Sequence, residues 1–261
     1  MKIGVRLESM GLPLRRALAK AARMGVSGIQ VDAAGDLSSG SLSHTGRREF
    51  LHLLRSHNLE LTAFGCPLRH GFDHSENQEA RIQYVREIMN LSFDLGPGRV
   101  IVEAGRVPAD QKDPRFRVLA ESLEALGRHG DRVGAVLALE TGWEPGSSLA
   151  PMLSRIDSGA LGVNFDPANL LMNGFDVYES LSALAGRIVH CHAHDARQAG
   201  ASPAAREVPV GHGDIDWMRY LSELEQQGYH GWMVVEQEGG DHRLQDIVAG
   251  VDFLKRLVSG E

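Results

Sequence analysis

The stretch IVHCHAHD, residues 188–195, puts a histidine at every second position. On a β-strand successive side chains point to opposite faces, so His190, His192 and His194 share one face and Val189, Cys191 and Ala193 the other. Such a row is either a solvated edge or a source of metal ligands and acid/base groups, because the neutral imidazole is the commonest metal ligand. Positions two apart lie roughly 6.5 Å from each other along a strand, so only one or two of the three can reach the same ion. Elsewhere three apolar runs end on a carboxylate: VLALE on Glu140, VNFD on Asp166 and MVVE on Glu236. Burying an unpaired charge there is costly, so something positive must sit among them. One solution is an arginine for each carboxylate. The other is one divalent cation shared by three carboxylates and one imidazole, a mixed N/O set that suits Mn²⁺, Mg²⁺ or Co²⁺ and also accommodates Zn²⁺. His192 lies at the depth of the three carboxylates, His190 deeper and His194 at the rim. His192 is therefore the expected ligand, spacing leaves room for His190 as a second, and otherwise His190 and His194 are neighbours of the ligands or of a substrate.

These residues need a scaffold that brings the ends of several strands together. Short apolar runs alternate with amphipathic helical stretches along the whole chain, the grammar of a parallel sheet wrapped by helices. The strand candidates are residues 3–8, 28–33, 60–66, 99–105, 135–142, 161–166, 188–195 and 231–238. They recur about every 30 residues, as βα units do. Gly25 and Gly96 follow helical runs as stops, and Asp216 is placed to cap the run beginning DWMRY. Eight βα units predict an α/β fold, a (β/α)8 TIM barrel forming one domain over residues 1–261. The turn after the first strand, LESMGLPL, lacks the glycine fingerprint of an open dinucleotide-binding sheet.

Composition narrows the partners. The formal net charge of −7 disfavours nucleic acid and anionic membranes and leaves small neutral or metal-chelating ligands open. With only two cysteines, Cys66 and Cys191, a disulfide framework is not expected and a reducing compartment fits. The opening MKIGVRLESMG has no apolar core of a signal peptide, and no apolar run reaches about 18 residues, so a cytoplasmic setting is expected. The four lysines, Lys2, Lys20, Lys112 and Lys255, end no strand candidate, which argues against Schiff-base chemistry.

The motifs LALETG, GVNFDPANL, HAHD, VPVGHGDIDW and GWMVVEQE together resemble the sugar isomerase and epimerase family with the xylose isomerase-like TIM barrel. That family includes ketose 3-epimerases, hydroxypyruvate isomerases and inosose dehydratases. The resemblance covers nearly the whole chain and is most specific in its second half. It implies one divalent metal ion held by Glu140, Asp166, His192 and Glu236, with Glu140 and Glu236 doubling as the acid/base pair. Many ketose epimerases carry a histidine three residues after the strand-six aspartate, where this chain has Asn169. Many also carry an arginine shortly after the strand-seven histidine, a place close to Arg197. Asn169 and Arg197, with His194, are therefore expected at the substrate, a sugar, and barrels of this class often form homodimers.

A cation on a carbonyl oxygen and its neighbouring hydroxyl acidifies the hydrogen between them by stabilising an enediolate. Proton return to the opposite face is epimerisation, return at the adjacent carbon is aldose–ketose isomerisation, and loss of a β-hydroxyl is dehydration. Trp143 is expected either to stack on a sugar ring or to cover the barrel rim. Glu8, Asp32 and Glu103 also end strands and are weaker pocket candidates. The loop EQEGGDHRLQ has the composition to offer backbone N–H groups to a phosphate. Two rivals remain: a nuclease of the same barrel class, which an acidic chain disfavours, and a sugar-binding barrel without catalysis.

Overall fold

The computed structural model describes residues 1–198 and 205–259. Eight parallel strands close into a barrel: β1 (Lys2–Arg6), β2 (Gly28–Asp32), β3 (Glu60–Gly65), β4 (Arg99–Val102), β5 (Val136–Glu140), β6 (Leu161–Phe165), β7 (Ile188–Ala193) and, last in the chain, β10 (Trp232–Val235). β1 pairs with β10, and the order then runs β7, β6, β5, β4, β3 and β2 back to β1. The helices are α1 (Leu14–Arg23), α2 (His44–Ser56), α3 (Gln78–Leu95), α4 (Pro114–Val133), α5 (Gly146–Ser154), α6 (Pro167–Met172), α7 (Val177–Ala183), α8 (Trp217–Gln226) and α9 (Arg243–Ser259). The expected (β/α)8 barrel is what forms. No helix among the described residues is long and apolar enough to cross a membrane.

Local chemistry explains the boundaries. α3 stops where Gly96 turns left-handed at φ 104°, and the Asp216 carboxylate caps α8 by accepting from the Arg219 N–H at 3.0 Å. The outward strand residues, among them Val5, Ile29, Val100, Leu137, Leu139, Val163 and Val235, join the helices in one buried apolar shell. The inside of the barrel holds a separate small cluster of Ala63, Ile101 and Ala138 with Val189 packed against it. Val189 thus departs from the alternation expected along the histidine strand. The β6–β7 register slips between Val163 and Asn164, and this bulge admits both Val189 and His190 to the interior.

Each strand stops short of its expected end, by two or three residues in β1 at Arg6, β4 at Val102, β5 at Glu140, β7 at Ala193 and β10 at Val235. Glu103 is consequently a loop residue. Asp195 does not continue β7 but opens an antiparallel ribbon, β8 (Asp195–Gln198) with β9 (Ala205–Val208), that the sequence pattern did not signal. The buried Asp195 carboxylate is a hub: Oδ2 accepts from Gly211 N–H at 2.9 Å, Gly213 N–H at 3.0 Å and Trp217 Nε1–H at 2.9 Å, while Oδ1 accepts from Ala196 N–H at 2.9 Å.

Candidate metal centre

At the C-terminal mouth of the barrel, Glu140, Asp166, His192 and Glu236 bring one potential ligand atom each to within 4.8 Å of one another. Each stands at the end of a neighbouring strand, β5, β6, β7 and β10, which is why the closing order of the barrel assembles them. His192 Nδ1 lies 3.1 Å from Glu140 Oε1, 3.4 Å from Asp166 Oδ2 and 2.5 Å from Glu236 Oε2. His192, Asp166 and Glu236 are buried, and Glu140 is the one of the four that reaches the cavity above.

The donor set fits a divalent cation. Ligands at about 2.0–2.2 Å from an ion can be no more than roughly 4.4 Å apart, so a closure of a few tenths of an ångström suffices. Glu236 Oε2 is buried and has no hydrogen-bond partner among the described residues, although it faces the imidazole nitrogen. A nitrogen and an unpartnered carboxylate oxygen aimed at the same point are what a shared cation would satisfy.

The surrounding residues hold each ligand in place. Gln30 Oε1 lies 2.9 Å from His192 Nε2, which fixes the N–H on that nitrogen and directs Nδ1 at the carboxylates. Asn169 spans two ligands: its backbone N–H donates to Asp166 Oδ1 at 2.8 Å and its Nδ2 to Glu140 Oε1 at 3.3 Å. The Thr141 hydroxyl accepts from Asp166 N–H at 2.8 Å and donates to Asp166 O at 3.1 Å. Arg6 donates to Glu236 Oε1 and reaches Asp32 at 3.3 Å. Below, His190 Nδ1 lies 2.8 Å from Asn164 Oδ1 and its Nε2 3.3 Å from Thr62 Oγ1, so both ring nitrogens are occupied away from the cluster.

Crowded charges shift the ionisation of these groups. Burial pushes Glu140 up to about 7, with His192 opposing the rise. Burial also acts to raise Asp166, but His194 and His192 outweigh it and hold the carboxyl down to about 2. Glu236 is likewise held well below the usual range by His192 and Arg6 against the effect of burial. Burial disfavours charge on His192, yet Glu236 and Glu140 overcome it and raise the ring well above the ordinary histidine value. Arg6 stays charged because the carboxylates of Glu236 and Asp32 outweigh its desolvation.

His194, expected at the rim, is only 1% exposed, because the β8–β9 ribbon folds over it. Its Nδ1 lies 3.0 Å from Asp166 Oδ2 and its Nε2 2.8 Å from Glu207 Oε1. Arg197 stands exposed on the ribbon and donates to the His212 carbonyl. Trp143 is 49% exposed at the mouth and donates its indole N–H to Glu103 Oε2 at 3.2 Å. Glu8 accepts from the Asp32 N–H at 2.8 Å, outside the cluster. In the loop after β10 the expected phosphate-binding N–H groups are already used: those of Glu238 and Gly239 each donate to Glu207 at 2.6 Å. A carboxylate of the chain itself does there what an anion would have done.

The sequence reading did not single out Arg6, Gln30 or Glu207. The available signal for the first two was a polar residue inside an apolar strand, in IGVRLE and GIQVD. Glu207 gave none, since its role depends on the ribbon.

Arg6, Gln30, Asp32, Glu103 and Glu140 line a cavity of ≈ 210 Å³ above the cluster, deep enough for a small polar molecule. A family model described as the xylose isomerase-like TIM barrel matches residues 18–257. The inosose dehydratase of Lacticaseibacillus casei is 27% identical over 144 residues, 48% of this chain and 48% of its own length. The chain thus matches about half the length of that relative. Among solved structures, a xylose isomerase domain protein from Planctomyces limnophilus has a TM-score of 0.84 at 23% identity, covering 93% of this chain and 92% of that one. A D-tagatose 3-epimerase-like protein has a TM-score of 0.81 at 21% identity, covering 99% of this chain and 97% of that one. Both likenesses speak for the fold.

Proposed function

Because the chain belongs to the xylose isomerase-like TIM barrel family, we propose that it is a divalent-metal-dependent isomerase or epimerase that removes a proton next to the carbonyl of a sugar or related polyol ketone. The convergence of four ligand atoms from four neighbouring strands, with Glu236 Oε2 left unpartnered among them, carries this reading. Glu140, Asp166, His192 and Glu236 would hold a divalent ion, with Mn²⁺, Mg²⁺ or Co²⁺ favoured by the donor set and Zn²⁺ also compatible, and it would supply Lewis acidity to the substrate carbonyl.

The chain's own groups then handle the proton. Glu140, with Oε1 steadied by Asn169, takes or returns a proton through its carboxylate. Glu236 presents Oε2 while Arg6 anchors Oε1, so its carboxylate plane is fixed. With one carboxylate on each side of the reacting carbon, removal by one and return by the other inverts the centre. Return at the adjacent carbon gives isomerisation instead. Trp143, on the loop after β5, and Arg197, on the β8–β9 ribbon, stand at this face of the barrel to meet the remainder of the sugar. The likeness to inosose dehydratase favours a second reading, dehydration, in which the proton is removed at the same site and a β-hydroxyl leaves. A cytoplasmic setting is supported by Cys66 and Cys191, both buried and free.

The test is calorimetric titration of chelator-treated protein with Mn²⁺ and Co²⁺, followed by a screen of ketoses for deuterium uptake from D₂O. One ion per chain, abolished or much weakened in His192→Ala, and uptake lost in Glu140→Gln and Glu236→Gln are expected. Sugar binding without exchange in metal-loaded protein would overturn the catalytic reading in favour of a non-catalytic barrel.

A further inference from the structure

The cavity above the cluster continues into a second one of ≈ 330 Å³, the two sharing Leu68 and Glu103 in their walls. The outer cavity is lined by Arg69, His70, His74 and Arg106. Arg69, His70 and His74 come from the loop after β3 and Arg106 from the loop after β4, so two separate segments contribute cationic or protonatable groups to one space. Both arginines are exposed, and neither makes an ion pair or hydrogen bond among the described residues. The acids nearby have other partners: Glu144, buried beside Arg106 and feeling its charge, accepts the Val107 N–H at 3.1 Å. Glu103 accepts the Trp143 indole N–H, and Asp73 is buried beneath His74, 3.8 Å from its Nε2.

The two loops are locked to each other, so the arginines are held on a fixed frame. Phe72 N–H donates to the Ala104 carbonyl at 2.7 Å. Gly71 and Gly105 abut so closely that a Cβ on either would collide with its surroundings: with the Gly105 backbone for Gly71, and with the Asp73 carboxylate for Gly105. Gly105 also adopts φ +93°, a conformation side chains rarely tolerate. This interlock presents Arg69 and Arg106 to a space that shares Leu68 and Glu103 with the cavity lined by Glu140.

We infer that the outer cavity is an anion subsite and that the substrate is an acidic sugar derivative, whose terminal carboxylate or phosphate is held by Arg69 and Arg106 while its carbonyl end lies at the metal cluster. Guanidinium groups pair with either oxyanion through parallel N–H donors, so the geometry specifies the charge of the terminus. The inference rests on the reading of the cluster as a metal-dependent proton-transfer site, and names the substrate class for that site.

Two measurements test it separately. Calorimetry with inorganic phosphate, and separately with succinate, on Mg²⁺-loaded protein reports the subsite without any reaction. Binding of one or both is expected, weakened about tenfold or more in Arg69→Gln/Arg106→Gln, the factor worth one charge-assisted hydrogen bond, and partly retained in Arg69→Lys/Arg106→Lys. The relative strength of the two probes tells phosphate from carboxylate. Deuterium uptake is then compared for a ketose, its terminal phosphate and the keto-acid of equal chain length. The acidic compounds are expected to exceed the neutral one in kcat/KM by about tenfold, through KM, with that ratio collapsing towards one in the glutamine variant. Phosphate and succinate both failing to bind, or a preference unchanged in the glutamine variant, would overturn the subsite. Probe binding that the glutamine pair abolishes, with no exchange on any compound, would uphold the subsite and sink the proton-transfer reading on its own.

Discussion

On the proposed function, Nδ1 of His192 is contested by a proton and by a cation. Three carboxylates around it favour the proton in metal-free protein, and burial favours a second proton on Glu140, whose pKa lies near 7. Metal binding must expel what these groups carry, because coordination needs the imidazole lone pair and the carboxylate anion. The sign follows: with both pKa values raised in the metal-free state, lower pH adds competitors and weakens binding. Apparent Mn²⁺ affinity is expected to rise by about tenfold per pH unit for each proton displaced, through the neutral range, and to level off only once His192 is deprotonated. Calorimetry in buffers of different ionisation enthalpy counts the protons directly. An affinity independent of pH between 6 and 8 would mean that the imidazole is not a ligand.

Three of the strands that carry the candidate ligands were readable because each is an apolar run ended abruptly by a charge, as in VLALE and VNFD, and the fourth because histidines alternate with apolar residues along it. The same rule could not find Arg6, Gln30 or Asn164, since a polar residue within a strand has the same pattern whether it faces the barrel interior or solvent. Nor could it find the β8–β9 ribbon: His194 continues the alternation of IVHCHAHD although β7 ends at Ala193. His194 was misplaced for that reason, since it is the ribbon that covers it and supplies Glu207. Asp195 sets the path of the ribbon and the glycine loop through four accepted hydrogen bonds, three from backbone N–H groups and one from Trp217. Asp195→Asn turns part of this acceptor into a donor facing N–H groups. It is expected to cost about 3 kcal/mol, since hydrogen bonds to charged groups contribute roughly 1.5–3 kcal/mol each. Urea unfolding measures the loss; a change below about 1 kcal/mol would show that the loop holds its path without the carboxylate.

A closed barrel with a continuous apolar shell does not need an ion to fold, but it must tolerate three carboxylates at one point. Arg6 supplies part of that tolerance, paired with Glu236 and Asp32, and is itself largely shielded with its side chain 23% exposed. On the proposed function a bound metal and Arg6 would neutralise overlapping charge, and their effects on stability should not be independent. At about a hundredfold excess of free metal over Kd, binding stabilises the native state by about 2.7 kcal/mol, so Tm should rise with Mn²⁺ and fall with a chelator while the protein stays folded in both. Arg6→Met keeps much of the aliphatic packing and removes the charge. It is expected to destabilise metal-free protein by about 2 kcal/mol, less than a fully buried pair because the guanidinium is partly solvated, and metal-loaded protein by distinctly less. Thermal unfolding of both proteins with and without Mn²⁺ closes the cycle. Equal losses in the two states would mean that Arg6 acts on Asp32 alone and leaves the metal cluster to His192.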